Sequence, residues 1–238
     1  MSRPKFYRDW VARGGLFRFE LKVFETDILV CCDRPLAKEA EAVIRSARGE
    51  ILDYISREGS FRDSLKPVAM DKSAPKIVRD MMERSAAAGV GPMAGVAGAI
   101  AEYTGRVLLE ASSEVIVENG GDIFIKSSEE RKLSVYAGDS PLSGKIGLVI
   151  RPERTPLGVC TSSGTVGHSK SFGAADAATV IAEDAILADC VATQAGNLAK
   201  KASDLERPID YAKSVKGVRG ALIIFGDKLA VWGEAELV

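Results

Sequence analysis

This sequence lacks an excess of charge of either sign. Lysine and arginine together number 32, aspartate and glutamate number 33, and the net charge at pH 7 is −1. Proteins that bind nucleic acid generally carry a basic face or tail. We therefore predict no nucleic-acid partner, and we interpret the basic residues near the N-terminus as a solvated leader to the first strand.

Histidine and cysteine are also scarce. The chain has one histidine, His168, and four cysteines, no two of which have the C-x-x-C spacing of a zinc site. Four cysteines in 238 residues do not indicate a disulfide scaffold either. We expect reduced thiols in the cytoplasm, with Cys160 and Cys190 as small buried side chains.

Long apolar runs are missing as well. The most apolar tract, residues 86–101, is broken by four glycines and a proline, and it is shorter than the roughly 20 residues of a membrane-spanning helix. Residues 1–16 lack the continuous apolar segment of a signal peptide. These absences predict a cytoplasmic protein with no membrane partner.

What the sequence does contain is a hydrophobic fraction of 46%, arranged in two periodicities. Alternating apolar residues beside turn residues predict hairpins, and apolar residues three and four apart predict helices. Strands in hairpins with helices grouped between them indicate an α+β fold. We expect antiparallel sheets in one domain over residues 1–238, or in two tightly packed subdomains. The predicted hairpins cover residues 17–33, 114–126 and 221–232, further strands 132–137, 145–151 and 176–182, helices 36–58, 74–88, 93–110, 185–200 and 205–215, and a loop 60–74.

The predicted helix 93–110 has little side-chain volume near its start. Ala94, Gly95, Ala97 and Gly98 stand within five residues of one another. Residues this small allow another group to approach the backbone closely. We expect that group to be either a second helix or a ligand.

A carboxylate and a hydroxyl stand four residues apart in the predicted helix 185–200. Asp189 and Thr193 share one helix face and could offer two oxygen ligands to a hard cation such as Mg2+. Upstream, Thr161, Ser162 and Ser163 could donate hydrogen bonds to a phosphate. The combination indicates a metal-assisted phosphate or nucleotide site. Alternatively, Asp184 and Asp189 form a simple acidic helix start that interacts with the helix dipole, and the pair Asp189 and Thr193 taken alone favours that interpretation.

The tetrapeptide Asn119-Gly120-Gly121-Asp122 also has two interpretations. The default is a tight turn between two strands. The functional alternative is that the two glycines let a cofactor approach the backbone while Asp122 holds one of its polar groups.

His168 could be combined with Ser162 and Asp189 into a hydrolytic triad. No G-x-S-x-G elbow supports that arrangement, and a single histidine is more often a binding or structural residue. We therefore rank a serine hydrolase last and interpret His168 as a residue that contacts a ligand.

The order of these motifs resembles that of the ApbE family of flavin transferases. The segment GPMAGVAGAIAEYTGRVLLEASSEVIVENGGDIFI, residues 91–125, is similar to that family's small-residue helix followed by a strand ending in G-G-D. The segment GVCTSSG, residues 158–164, resembles its T-S-G block, and ADCVAT, residues 188–193, resembles its A-D-x-x-A-T metal motif. More narrowly, the chain looks like the UPF0280 group of ApbE-like proteins.

The resemblance implies an ApbE-like fold that binds FAD or FMN with Mg2+ and transfers FMN from FAD to a threonine of an acceptor protein. Asp189 and His168 would be the catalytic residues. Asp189, Thr193 and the backbone carbonyl of Ala97 would ligate the metal. The flavin nucleotide would lie against Gly120, Gly121, Asp122, Thr161, Ser162, Ser163 and His168.

The sequence departs from the family pattern at Gly98, where the family has a lysine. An accessory protein that binds a flavin or nucleotide without turnover, for example in sulfur metabolism, is therefore the alternative function. The small-residue tract 86–101 could also pack against a second subunit of a homo-oligomer.

Overall fold

The computed structural model describes residues 15–164 and 173–238. Within them an eight-stranded sheet is antiparallel throughout, with the strand order β1-β2-β3-β4-β7-β8-β9-β10, and a second sheet has the order β11-β6-β5. The strands are β1 Phe17–Val23, β2 Thr26–Cys32, β3 Val115–Asn119, β4 Asp122–Lys126, β5 Arg131–Ser134, β6 Gly147–Ile150, β7 Leu157–Ser162, β8 Ala177–Ala182, β9 Val218–Phe225, β10 Lys228–Gly233 and β11 Glu236–Leu237.

The helices come in groups between the hairpins, as the sequence predicts. They are α1 Ala37–Arg57, α2 Gly59–Asp63, α3 Lys76–Ala88, α4 Val96–Leu108, α5 Ala185–Leu198 and α6 Glu206–Ser214. A 3-10 turn, Pro92–Gly95, leads directly into α4. The α+β class and the antiparallel hairpins are thus confirmed.

The centre of the large sheet is buried on both faces because its central strands alternate apolar residues toward two cores. Val117 and Phe124 pack with the helices on one face, whereas Ile116 and Ile125 pack with the small sheet on the other. Successive side chains of a strand point to opposite faces. The same alternation decides which polar residues of β3, β4 and β7 face the helices.

Two segments differ from the prediction. The predicted helix 36–58 corresponds to α1, but the predicted loop 60–74 is wrong at its start, where the short helix α2 buries Phe61, which packs edge-to-face against Tyr54 of α1. Strand β7 occupies a segment that we interpreted only as hydrogen-bond donors for a phosphate. It is a central strand, paired with β4 and β8. No helix of the described residues is long and apolar enough to cross a membrane.

Candidate active site

The predicted site lies where α5 packs against the start of α4 and against β7. Glycines make this contact possible. A Cβ atom on Gly98 would lie 2.2 Å from the carbonyl oxygen of Ala185, and one on Gly158 would lie 2.4 Å from the Cα of Ala185. The group that approaches the small residues of α4 is therefore another helix.

Helices α4 and α5 cap one another across this contact. Gly98, in the first turn of α4, donates its backbone N–H to Oδ2 of Asp189 on α5 at 2.9 Å. In return Ala185, the first residue of α5, donates its N–H to Oε2 of Glu102 on α4 at 2.8 Å. The first N–H groups of a helix have no partner inside it. Each carboxylate supplies one for the other helix.

Asp184 completes the start of α5. Its Oδ1 accepts a hydrogen bond from the N–H of Leu187 at 2.8 Å, and its Oδ2 lies 2.7 Å from the guanidinium of Arg84. Asp184 is thus the N-terminal cap of α5. Asp189 is not part of that cap, because it lies a turn further along and serves α4 instead.

Asp122 faces the same contact from the sheet. It is the first residue of β4 and pairs in register with Cys160 of β7, whose thiol donates to the carbonyl oxygen of Ala185. Only 8% of Asp122 is exposed, and among the described residues Oδ1 has no hydrogen-bond partner. Burying a carboxylate oxygen without a hydrogen-bond donor costs free energy. A proton or a bound cation would remove that cost.

Burial raises the pKa of Asp122 well above its ordinary value, and the nearby charge of Asp189 raises it further. Burial also raises the pKa of Asp189, against the stabilising effect of the α4 N–H groups. No lysine or arginine in the described part of the chain forms an ion pair with either carboxylate. The two side chains therefore form a buried carboxyl pair with no compensating cationic side chain among these residues, and in the absence of a cation they hold protons more tightly than ordinary carboxyl groups.

The glycine turn beside Asp122 is held in a fixed shape. Gly120 and Gly121 have backbone φ values of +70° and +108°, which residues other than glycine rarely adopt. Oε1 of Glu118 accepts the N–H of Gly121 at 2.8 Å. Asn119, directly opposite Asp122 in the hairpin, donates from Nδ2 to the carbonyl oxygen of Ala97 at 3.1 Å.

The remaining predicted residues do not all share one side of the sheet. Thr193 is partly exposed on the face of α5 that carries Asp189. Ser162 lies on the helix side as well, with its Oγ 3.6 Å from where a Cβ of Gly196 would stand. Thr161 points to the opposite side and its hydroxyl bonds Thr179 at 2.9 Å. Ser163 follows β7 at the edge of the described residues.

Two further predictions concern His168 and the cysteines. His168 lies outside the described residues, so its role stays a prediction. All four cysteines are free and buried, as expected. Burial raises the pKa of both Cys160 and Cys190 well above the ordinary thiol value, which makes them poor nucleophiles at neutral pH.

Sequence reasoning missed Glu102 and treated Asn119 only as a turn residue. Glu102 offered one signal, since Arg106 follows it by four residues and the two pair at 2.6 Å. Its bond to Ala185 joins residues 83 positions apart, and no local pattern encodes such a distance.

The fold is that of solved flavin transferases. Flavin transferase ApbE from Vibrio cholerae, H257G mutant, aligns with a TM-score of 0.61 and 11% identity, covering 93% of this chain and 98% of that chain. The apo form of the flavinyl transferase ApbE from Pseudomonas stutzeri aligns with a TM-score of 0.59 and 14% identity, covering 92% and 94%. At these identities the structural similarity shows that the chain shares the ApbE-like fold.

Sequence similarity is closer within one family. A family described as "AbpE bacteria" matches residues 8–216. A UPF0280 protein from Methanocella arvoryzae is 42% identical over 213 residues, covering 89% of this chain and 86% of that protein. Another, from Methanococcus vannielii, is 40% identical over 216 residues, covering 88% and 87%. The chain is a member of this UPF0280 family of ApbE-like proteins.

Proposed function

We propose that the protein binds FAD together with a divalent cation, Mg2+, and transfers FMN from FAD to a hydroxyl group of an acceptor protein. The observation that carries this proposal is the buried pair formed by Asp122 and Asp189. Two adjacent carboxylates with no cationic side chain beside them among the described residues have the charge and the oxygen atoms that bind hard cations. The ApbE-like fold supports flavin as the nucleotide.

The residues present fit a divalent cation. Asp189 is fixed by the N–H of Gly98, Thr193 follows it on the same helix face, and Oδ1 of Asp122 lacks a donor. A bound Mg2+ would neutralise charge on the diphosphate and orient it for in-line attack. The glycine turn 120–121 offers exposed backbone beside these oxygens, where a nucleotide could come close.

The proposed transfer is a phosphoryl substitution. The hydroxyl oxygen of the acceptor threonine forms a bond to the phosphorus of the FMN moiety, the bond between that phosphorus and the bridging oxygen breaks, and AMP leaves. The hydroxyl proton is released to solvent or to a nearby base. Asp189 would keep its orientation throughout, because its Oδ2 accepts the N–H of Gly98.

A second candidate is a flavin-binding accessory protein without turnover. Gly98 stands where transferases of the resembling family have lysine, and its close contact with Ala185 leaves no room for any side chain. A site that lacks this positive charge would stabilise the leaving phosphate less well. The contact therefore favours retention of binding with reduced or absent transfer.

The test is a calorimetric titration of the metal-free protein with FAD, with and without Mg2+, followed by analysis of the same mixture for AMP. Mg2+-dependent binding with release of AMP supports the transferase. Binding without AMP selects the accessory protein. Absence of binding in both conditions contradicts both candidates.

A further inference from the structure

The carbonyl oxygen of Ala97 already has two partners. Ala97 lies in the first turn of α4, where a helical carbonyl accepts the N–H four residues on. Nδ2 of Asn119 donates to the same oxygen at 3.1 Å. A carbonyl oxygen has two lone pairs. Both are in use, so none is left for a cation.

Asn119 is held firmly in this orientation. It ends β3, pairs with Ile28 on one side and Asp122 on the other, and is 9% exposed. Rotating its amide would bring Oδ1 against the Ala97 carbonyl, which sets two acceptors facing each other. The amide group therefore occupies the position at Ala97 that a cation would need.

Asp122 offers the oxygen that Ala97 does not. Its Oδ1 is buried without a hydrogen-bond partner among the described residues, while Oδ2 of Asp189 is held by the N–H of Gly98. Mg2+ is commonly bound through one or two carboxylates and completes its shell with waters and substrate phosphates. Two carboxylates and the hydroxyl of Thr193 meet that requirement.

We propose that Asp122 is a direct ligand of the divalent cation and takes the place of the Ala97 carbonyl, which Asn119 withholds. The inference rests on the proposed function, since it defines the ligand set of the same site. It gives different roles to Asp122 and Asn119, which lie opposite each other in one hairpin. Asp122 binds the cation, and Asn119 fixes the start of α4.

The experiment titrates Mn2+ alone, and then Mn2+ in the presence of FAD, into the wild type and two nearly isosteric variants. Asp122→Asn should weaken Mn2+ binding by at least roughly tenfold, the loss seen even for residues that only support a ligand. Asn119→Leu removes the amide donor without adding charge. Because it frees the carbonyl of Ala97, it should leave Mn2+ affinity equal or higher while lowering the unfolding temperature of the metal-free protein. Asn119→Ser is the second variant if leucine prevents folding, and Asp122→Ala serves likewise.

Each outcome decides one point. Wild-type affinity in Asp122→Asn overturns the assignment of Asp122. A weaker affinity in a folded Asn119 variant overturns the exclusion of Ala97, because Asn119 would then support cation binding instead of withholding the carbonyl, even if Asp122→Asn also binds weakly. If the wild type binds no Mn2+ with or without FAD, the proposed function itself fails, and the inference fails with it.

Discussion

The carboxylate of Asp189 accepts the backbone N–H of Gly98 at 2.9 Å, although the two residues are 91 positions apart. This bond holds Asp189, the metal ligand that the family resemblance implies, against the first turn of α4. It also explains why Gly98 is glycine, because the same contact brings the backbone of Ala185 against its Cα hydrogens. The position of Asp189 in the candidate site therefore depends on the packing of α4 against α5.

Substituting Gly98 should destabilise the protein. A methyl group there would lie 2.2 Å from the carbonyl oxygen of Ala185, and overpacking of this kind costs about 1–3 kcal/mol or more. Gly49 in α1 is the matched control, since nothing lies within 4 Å of its added Cβ. Gly49→Ala should instead stabilise by about 0.5–1 kcal/mol. Urea unfolding measures both, and a neutral Gly98→Ala would contradict the close α4–α5 contact.

Introducing the family lysine by Gly98→Lys should not increase FMN transfer. The longer side chain meets the same backbone obstacle, so we expect a destabilised protein with weaker FAD binding. A well-folded Gly98→Lys variant with faster AMP release than the wild type would show that α5 can move aside.

Removing Glu102 should also weaken the α4–α5 contact. Glu102→Leu leaves the N–H of Ala185 buried without an acceptor, which costs about 1–3 kcal/mol. Glu102→Gln keeps a carbonyl oxygen at the same place and should lose less. Thermal unfolding of the two variants checks the order, and equal stability of Glu102→Leu and the wild type would argue against mutual capping.

The stability of the metal-free protein should depend on the carboxylate pair. Burial raises the pKa of Asp189 from 3.8 to about 7 and raises the pKa of Asp122 above its ordinary value. Over this window the folded state binds more protons than the unfolded state, so stability falls as pH rises from 3.8 toward about 7. Thermal unfolding in a chelator should show this fall in the wild type and a smaller fall in Asp122→Asn.

Adding Mg2+ should reverse that trend. The cation binds the ionised carboxylates, so its stabilising effect should grow as pH rises through the same window. Unfolding temperatures with Mg2+ and with chelator, compared at low and at neutral pH, give the difference directly. A stabilisation by Mg2+ that is equal at both pH values would mean that the cation binds elsewhere.

The local spacing of apolar and turn residues predicted most of this fold, because each hairpin and amphipathic helix has a recognisable pattern within a short stretch of sequence. Strand β7 escaped because Gly158 and Ser162 weaken its alternation, and Gly158 is required by the approach of Ala185. Spacing alone placed Asp189 and Thr193 on one helix face. It could not show that Asp122 faces Asp189, because that depends on how β4, β7 and α5 pack in three dimensions. Nor could it show that Thr161 points away.

The most direct test of the account is the Mg2+-dependent affinity for FAD of Asp189→Asn beside that of Asp210→Asn. Asparagine at 189 keeps an acceptor for Gly98 but loses the charge, whereas Asp210 is exposed and pairs only with Lys213 among the described residues. We predict that Mg2+ no longer strengthens FAD binding in Asp189→Asn, while Asp210→Asn behaves as the wild type. An undiminished Mg2+ effect in a folded Asp189→Asn variant would contradict the metal-dependent flavin site.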